Sequence, residues 1–472
     1  MKTFSLSVYR HITSILLLLC LIPGCAPSYA ERMMQQLAAD DAAPLYALTG
    51  VNVIPVQPAG VLSDQTLLVG QGRTLALGPR DTVVIPAHAR QLDLTGRYVL
   101  PGFSDMHVHL AQERDLLLFL RHGITRVRNM ADSSPLGKLV GFPHTPALRE
   151  AIATGRKLGP QIFACGPFLD GDPPQNGITT PLSSPAAARA AVRQSAAEGF
   201  DCIKVYNRLQ PEIFAAVVDE ARVLGLPVMG HVPHDVGLDG ALAAPMKSIE
   251  HLNAYIDNFA GTYRVPPERW TETAAATAAA GVYNCPTLVI WDQHPPSGGF
   301  EAVTRHPRYR YVPDYLRWFW QIAYPELFNV TYADKNHYLE HILQLSLPMV
   351  KALHEGGAPL LVGSDANLTG IFPGWTALRE MELLARAGVP SQAVLEAATL
   401  NPARMLGQAE HSGRIAPGYA ADLVVLGSNP LEDIRAVYDT VGVMTQGHWL
   451  SAQTLDQMLE ADLPPVSEKA VN

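Results

Sequence analysis

The sequence predicts an α/β chain: a (β/α)8 barrel of the TIM type, carrying a small β-sandwich domain formed from the N- and C-terminal segments. Two patterns predict it. Between Val99 and about Leu400, eight short apolar runs alternate with Ala-, Leu- and Glu-rich stretches such as Ser184–Glu198 and Pro211–Leu224. That is the pattern of parallel strands buried on both faces and joined by crossover helices. From Leu45 to about Tyr98, and again over Gly418–Leu426 and Val441–Leu450, brief apolar runs broken by Gly, Pro and Asp read as β-structure bracketing the barrel. A doubly wound sheet is the alternative, and the count of eight strands favours closure.

Taken in order, residues 1–25 read as an export signal. Lys2 and Arg10 precede an apolar run from Ile12 to Ile22, too short to span a bilayer. Ile22-Pro23-Gly24-Cys25 resembles a bacterial lipobox and places a lipid anchor on Cys25; the competing cleavage follows Ser28-Tyr29-Ala30. Either reading exports the chain, to the periplasm, to the membrane as a lipoprotein, or as a soluble secreted protein. Residues 26–44 are a spacer, 45–100 the first part of the β-sandwich, 101–404 the barrel, 405–452 the second part of the sandwich and 453–472 a tail. The barrel strands are expected at Val99–His109, Ile124–Asn129, Gln161–Cys165, Cys202–Tyr206, Pro227–His231, Ser248–His251, Val282–Ile290 and Leu360–Asp365. An insertion over about 291–347 is rich in aromatics: Tyr309, Tyr311, Tyr315, Trp318, Phe319, Trp320, Tyr324 and Phe328. It reads as a lid or substrate wall, or as an excursion packed on its own rings.

Composition excludes some partners. A net charge of -9 with 17% charged residues gives no broad cationic surface, so nucleic acid is not an expected partner. Of five cysteines, Cys20 and Cys25 fall in the signal. Cys165, Cys202 and Cys285 are odd in number and lack CxxC spacing, so they are expected to be buried free thiols rather than a disulfide or a thiolate metal site.

The chemistry gathers at strand ends. His107 and His109 flank Val108, and residues i and i+2 of a strand share a face, so both imidazoles can meet one cation. His231 and His251 follow apolar runs in the same way, and Asp365 closes the last strand. Lys204 lies in Cys202-Ile203-Lys204-Val205-Tyr206, a strand that should be buried, where an unpaired ammonium is costly. Taking up CO2 would turn it into a carbamate with two oxygens, suited to bridging two dications. Tyr206 has the parity of Lys204 and should face the same cavity. The residues alone leave bland alternatives open: a core histidine, a helix-capping Asp365, or Lys204 paired with an acid at the rim.

An ordered series of motifs then adds to these residues. It comprises Val99-Leu100-Pro101-Gly102-Phe103-Ser104-Asp105-Met106-His107-Val108-His109, His122-Gly123-Ile124-Thr125-Arg126-Val127-Arg128, Gly230-His231, Glu250-His251, Ala398-Thr399-Leu400-Asn401-Pro402-Ala403 and Gly413-Arg414-Ile415-Ala416-Pro417-Gly418-Tyr419-Ala420-Ala421-Asp422-Leu423-Val424-Val425-Leu426. Together they resemble the metal-dependent amidohydrolase superfamily, in its imidazolonepropionase-like and Xaa-Pro-dipeptidase-like branch. The resemblance implies His107, His109 and Asp365 on one metal, His231 and His251 on the other, and carbamylated Lys204 between them. Single-metal relatives lack this lysine, which steers the reading to the two-metal, dipeptidase-like members. Two divalent ions, expected to be Zn2+, would hold a bridging hydroxide; Asp365 would move the proton, and Tyr206 or His231 would steady the oxyanion. The expected small-molecule substrate is a dipeptide or N-acyl amino acid whose carboxylate meets Arg128 or His234. A lactonase or phosphotriesterase on the same metals, and a catalytically dead surface-binding lipoprotein, are the alternatives. Asn129 departs from the pattern, since relatives often carry Asp after the arginine. Nothing in the sequence speaks to oligomeric state.

Overall fold

The computed structural model describes residues 44–132, 143–175, 178–258, 260–293, 299–323, 336–461 and 463. The expected export signal, the Cys25 anchor and part of the aromatic insertion, including Tyr324 and Phe328, lie outside them.

Seven parallel strands form the barrel wall in chain order: β1 (Phe103–Val108), β2 (Ile124–Asn129), β3 (Gln161–Gly171), β4 (Cys202–Val205), β5 (Val228–Gly230), β6 (Met246–Glu250) and β7 (Tyr283–Cys285). Strands β1, β2, β4 and β5 are buried along their whole length, as a sheet with helices outside and packed side chains inside demands. Residues 360–365 close the seam without forming a regular strand. On one side Leu361 N donates to Asn284 O (2.8 Å); on the other Met106 N donates to Val362 O (2.8 Å) and Asp365 N to His107 O (2.7 Å). Gly363 explains the tight seam, because a Cβ there would collide with the Cys285 sulfur and stand 2.9 Å from His107 Cβ.

Four strand expectations need correction: Leu360–Asp365 forms no regular strand, Val99–Pro101 pairs in the sheet of the chain ends so that the first barrel strand begins at Phe103, and two further runs end elsewhere than expected. The run Val282–Ile290 is a strand only to Cys285, after which a helix covers Leu288–Gln293. Pro286 offers no N–H to the ladder and Thr287 has φ 49°, so the extended chain ends there. The third strand runs on from Cys165 to Gly171, past a Gly166-Pro167 pair that reads as punctuation; the ladder absorbs it with a register shift between Cys202 and Lys204.

The chain ends build one antiparallel-dominated sheet from Tyr46–Val53, Leu62–Gly70, Arg73–Pro79, Arg90–Asp93, Tyr98–Pro101, Leu423–Leu426, Thr440–Thr445 and His448–Ser451. It folds over on itself, with Thr74 N donating to Tyr419 O (2.9 Å) and Gly418 N to Thr74 O (2.8 Å). Leu48, Val53, Leu67, Val69, Val99, Leu423, Val425 and Met444 fill the space between its halves. Tyr98–Pro101 leads directly into β1, so the β-domain is anchored to the first barrel strand.

The insertion is helical over Gly299–Arg305, Pro307–Tyr311, Asp314–Trp318 and Phe319–Ala323. Val303, Val312, Leu316 and Trp320 form its own core together with Ala111 and Phe372. Trp318 stays exposed.

The thiol expectation is overturned. Cys165 and Cys202 form a disulfide, with Cα atoms 4.5 Å apart, and among the described residues only Cys285 is free. The two half-cystines face each other in register on β3 and β4, a proximity that spacing along the chain does not encode. The double variant Cys165→Ala/Cys202→Ala is expected to lose about 2–4 kcal/mol of unfolding free energy, measured as a shift in the denaturation midpoint; an unshifted midpoint would mean the bridge contributes nothing.

Candidate metal centre

Four imidazoles stand in a row at the carboxyl ends of β1, β5 and β6. Ring centroids are 5.4 Å apart for His109 and His107, 4.5 Å for His107 and His251, and 4.8 Å for His251 and His231. Asp365 lies against three of them: its carboxylate oxygens are 3.0 Å from His109 Nε2, 3.5 Å from His107 Nε2 and 4.0 Å from His251 Nδ1. Tyr206 stacks on His231 at 4.2 Å, Phe168 meets Tyr206 at 5.3 Å, and His109 meets Phe168 at 5.7 Å. Six rings thus close a circuit, and Lys204 Nζ lies 5.8 Å from the Phe168 ring centre.

Each of three histidines has one nitrogen committed. His107 Nδ1 donates to Glu250 (2.7 Å) and His231 Nδ1 to Asn207 Oδ1 (2.9 Å). His251 Nδ1 bonds Thr287 Oγ1 (2.7 Å), whose own proton goes to the Pro286 carbonyl, so the imidazole must be the donor. Every one of these pairings leaves Nε2 with a free lone pair, the arrangement by which a protein orients imidazoles toward a metal. The backbone is forced to suit: His251, Thr287 and Asp365 adopt φ of 60°, 49° and 61°, a region that costs residues other than glycine energy and clusters at functional sites.

Lys204 is wholly buried, and its Nζ has no hydrogen-bond partner. Gly230 makes room for its stem, since a Cβ there would stand 2.9 Å from Lys204 Cδ. Burial draws the amine down to about 8, against the pull of Glu250 and Asp365. Burial also holds His107 and His231 well below their ordinary value, with the Lys204 charge adding to it, and brings His251 to about 4. For Asp365 burial acts upward, but the hydrogen bond from His109, with the nearby Lys204 charge, overcomes it and keeps the carboxyl below its usual range. Three imidazoles held neutral by burial, an ionised carboxylate and an amine without a hydrogen bond fit the nitrogen and oxygen donor set of a divalent ion. His107, His251 and Asp365 already bring one ligand atom each within 4.8 Å of the others.

The amidohydrolase family matches residues 98–450. The chain belongs to that family. Membership places it among hydrolases of carbon–nitrogen bonds that generally use divalent metals. This amidohydrolase is similar to a candidate prolidase from Bifidobacterium longum, at 25% identity and TM-score 0.67 over 89% of this chain and 99% of the other. It is also similar to a bottromycin amidohydrolase, at 26% identity and TM-score 0.72 over 97% of each chain. An adenine deaminase of Staphylothermus marinus is 24% identical over 80% of this chain, which spans only 54% of that deaminase.

The structure reassigns Arg128. It does not reach the cavity as a carboxylate partner but lies fully buried beneath it, with Nε donating to Met106 O (2.5 Å), Nη1 to Ser248 Oγ (2.8 Å) and Nη2 to both oxygens of Glu250 (2.9 and 3.0 Å). With its donors spent inside the barrel, none remains for a substrate. His234 is exposed and stands outside the imidazole row, taking a hydrogen bond on Nδ1 from Arg264 (3.1 Å). Glu250, Asn207, Thr287 and Phe168 were not expected at the site. Glu250 stands beside His251 in the sequence, the one local hint; the others arrive through cross-strand register.

Glu250 is the hinge of this assembly, joining Arg128 to His107. Replacing it with Leu in this amidohydrolase should cost about 3–5 kcal/mol of stability, because the Arg128 charge is left buried without a counter-ion. Arg128→Met/Glu250→Leu together should recover much of that loss, and a double variant no more stable than Glu250→Leu would show that the pair is not the source.

Proposed function

We propose that this amidohydrolase cleaves the C–N bond of a dipeptide or N-acyl amino acid outside the cytoplasm, using two divalent ions held by His107, His109, His231, His251, Asp365 and a carbamate on Lys204. The buried Lys204 amine, without a hydrogen-bond partner and set beside the Phe168 ring, carries the reading. An ammonium there faces imidazole nitrogens, whereas a carbamate offers two anionic oxygens toward the same space. Zinc suits the donor set best, and when bound such ions supply Lewis acidity toward water and toward a carbonyl oxygen.

The chain's own groups divide the remaining work. Asp365, touching the imidazole row, takes a proton from the attacking water and hands it to the leaving nitrogen. Tyr206, fixed by its stacking on His231, donates its hydroxyl to the carbonyl oxygen as charge develops. His231 cannot share that task, because its proton sits on Nδ1 against Asn207. His234 is the partner for the substrate carboxylate: Arg264 donates to its Nδ1, which leaves the proton on Nε2, and Asp257 holds Arg264 at 3.1 Å. The Cys165–Cys202 disulfide supports an oxidising compartment, in keeping with export and a lipid anchor on Cys25.

Protein purified without chelator should contain two metal equivalents and hydrolyse members of an Xaa-Pro and N-acyl amino acid panel in preference to lactones and aryl phosphotriesters. Faster turnover of lactones or phosphotriesters would transfer the site to those substrates; absent metal together with absent turnover would make the barrel a binding module. Asp365→Asn is expected to lower kcat by at least about 100-fold while the unfolding transition stays in place, and near-normal turnover would remove Asp365 from proton transfer.

A further inference from the structure

The insertion after β7 reaches past the closing segment to the end of β1, and it is bonded to the rim rather than merely hung above it. Fully buried Trp320 donates its Nε1–H to the backbone oxygen of Asn367 (2.9 Å). Asn367 lies two residues beyond Asp365, and its Nδ2 donates to the carbonyl of His109 (3.0 Å) and to Asp115 (2.8 Å). Asp115 in turn accepts from Ala111 N (3.0 Å) and Gln112 N (3.2 Å). The insertion adds a second tie through the Tyr315 hydroxyl, which donates to Ala111 O, and receives one back from Gln112 Nε2 to Tyr311 O (2.9 Å). Asn367 is therefore the point where the end of β1, the turn after Asp365 and the insertion converge.

A substrate wall would show its rings to the cavity. Trp320 instead packs among Ala111, Phe372 and the insertion's own apolar side chains, with its polar edge aimed at the rim backbone. We propose that Trp320 is a positioning residue: through Asn367 it fixes the turn that holds Asp365 in its left-handed conformation and the strand end that presents His109, so that metal retention by this pair depends on the insertion. The inference rests on the reading that His109 and Asp365 share an ion. Such a turn is conformationally costly and persists only while its surroundings over-determine it. Groups that orient a ligand from behind typically matter 10–100-fold in affinity; Trp320 acts one bond further out, and about a tenfold loss is expected.

Trp320→Phe keeps an aromatic ring and removes the N–H; Asn367→Ser keeps the backbone oxygen that Trp320 meets and removes the Nδ2 bonds that pass the contact on to His109 O and Asp115, and exposed Trp318→Phe is the control. Two readouts are taken: metal per chain after dialysis against graded chelator, and amide hydrogen exchange of segments 107–112 and 364–368 in metal-stripped protein. The expected result is that Trp320→Phe gives up metal at about tenfold lower chelator and exchanges faster in both segments, while Trp318→Phe matches the parent. Unchanged metal retention in Trp320→Phe overturns the proposal, whether or not exchange accelerates, and so does unchanged exchange. Should Trp320→Phe fail to fold, Asn367→Ser is read by the same criteria. If the parent protein itself takes up no metal, the metal reading has failed, and exchange in the stripped protein decides alone: acceleration upholds the positioning role, and parity overturns it.

Discussion

The interior of the barrel is organised around a charge that has to be accounted for. Lys204 comes from the middle of a strand buried on both faces, and its amine ends among imidazoles that are neutral and have their protons turned away. Arg128 is also buried, yet it differs in kind, because Glu250 meets it with two oxygens and Ser248 and Met106 take what is left. The barrel satisfies one cation completely and leaves the other without a hydrogen bond, with only the Phe168 ring 5.8 Å from its Nζ and the more distant pull of Glu250 and Asp365. An unpaired ammonium at such depth costs several kcal/mol, and folding tolerates that only where the group is destined to change its chemistry or meet a ligand. The Nε2 lone pairs of three histidines and the Asp365 carboxylate gather nitrogen and oxygen donors at the same mouth, the donor types that divalent ions take.

Arg128 and Glu250 then acquire a purpose in relation to the site. Glu250 could not lie under His107 as a bare carboxylate; Arg128 neutralises it while leaving one oxygen edge for the His107 Nδ1 proton. The resulting line from guanidinium to carboxylate to imidazole fixes the ring's tautomer and its aim from inside the barrel. Asn207 does the same for His231 with an amide and Thr287 for His251 with a hydroxyl, so the three rings are oriented by three different chemistries.

Much of this was legible in the sequence, and the boundary of legibility has a physical cause. Side chains that face the mouth do so because of strand parity and position at a strand's carboxyl end, which are local properties; hence His107, His109, His231, His251, Lys204 and Asp365 can be read from one chain, as can the barrel and its split β-domain. Partners that meet by register between strands are not local. Arg128 reads as a rim cation because the residues that bind it, Met106, Ser248 and Glu250, lie on β1 and β6. Cys165 and Cys202 read as isolated thiols because nothing along the chain says that β3 and β4 align them. Phe168 was hidden by Gly166-Pro167, where punctuation that normally ends a strand marks a register shift instead.

The eighth position of the barrel shows why irregularity and function coincide here. A regular strand over residues 360–365 would alternate its side chains and keep Asp365 in extended geometry. The segment instead threads Gly363 between Cys285 and His107, turns left-handed at Asp365, and delivers the carboxylate across the row of imidazoles. Such a path keeps only scattered ladder bonds to β7 and β1. Its hydrogen bonds are replaced from three directions: Asp105 accepts from Ser364 N (2.9 Å) and Oγ (2.6 Å) beneath it, β1 flanks it, and Trp320 reaches Asn367 from outside. The aromatic insertion is thus part of the answer to a backbone problem created by the site itself.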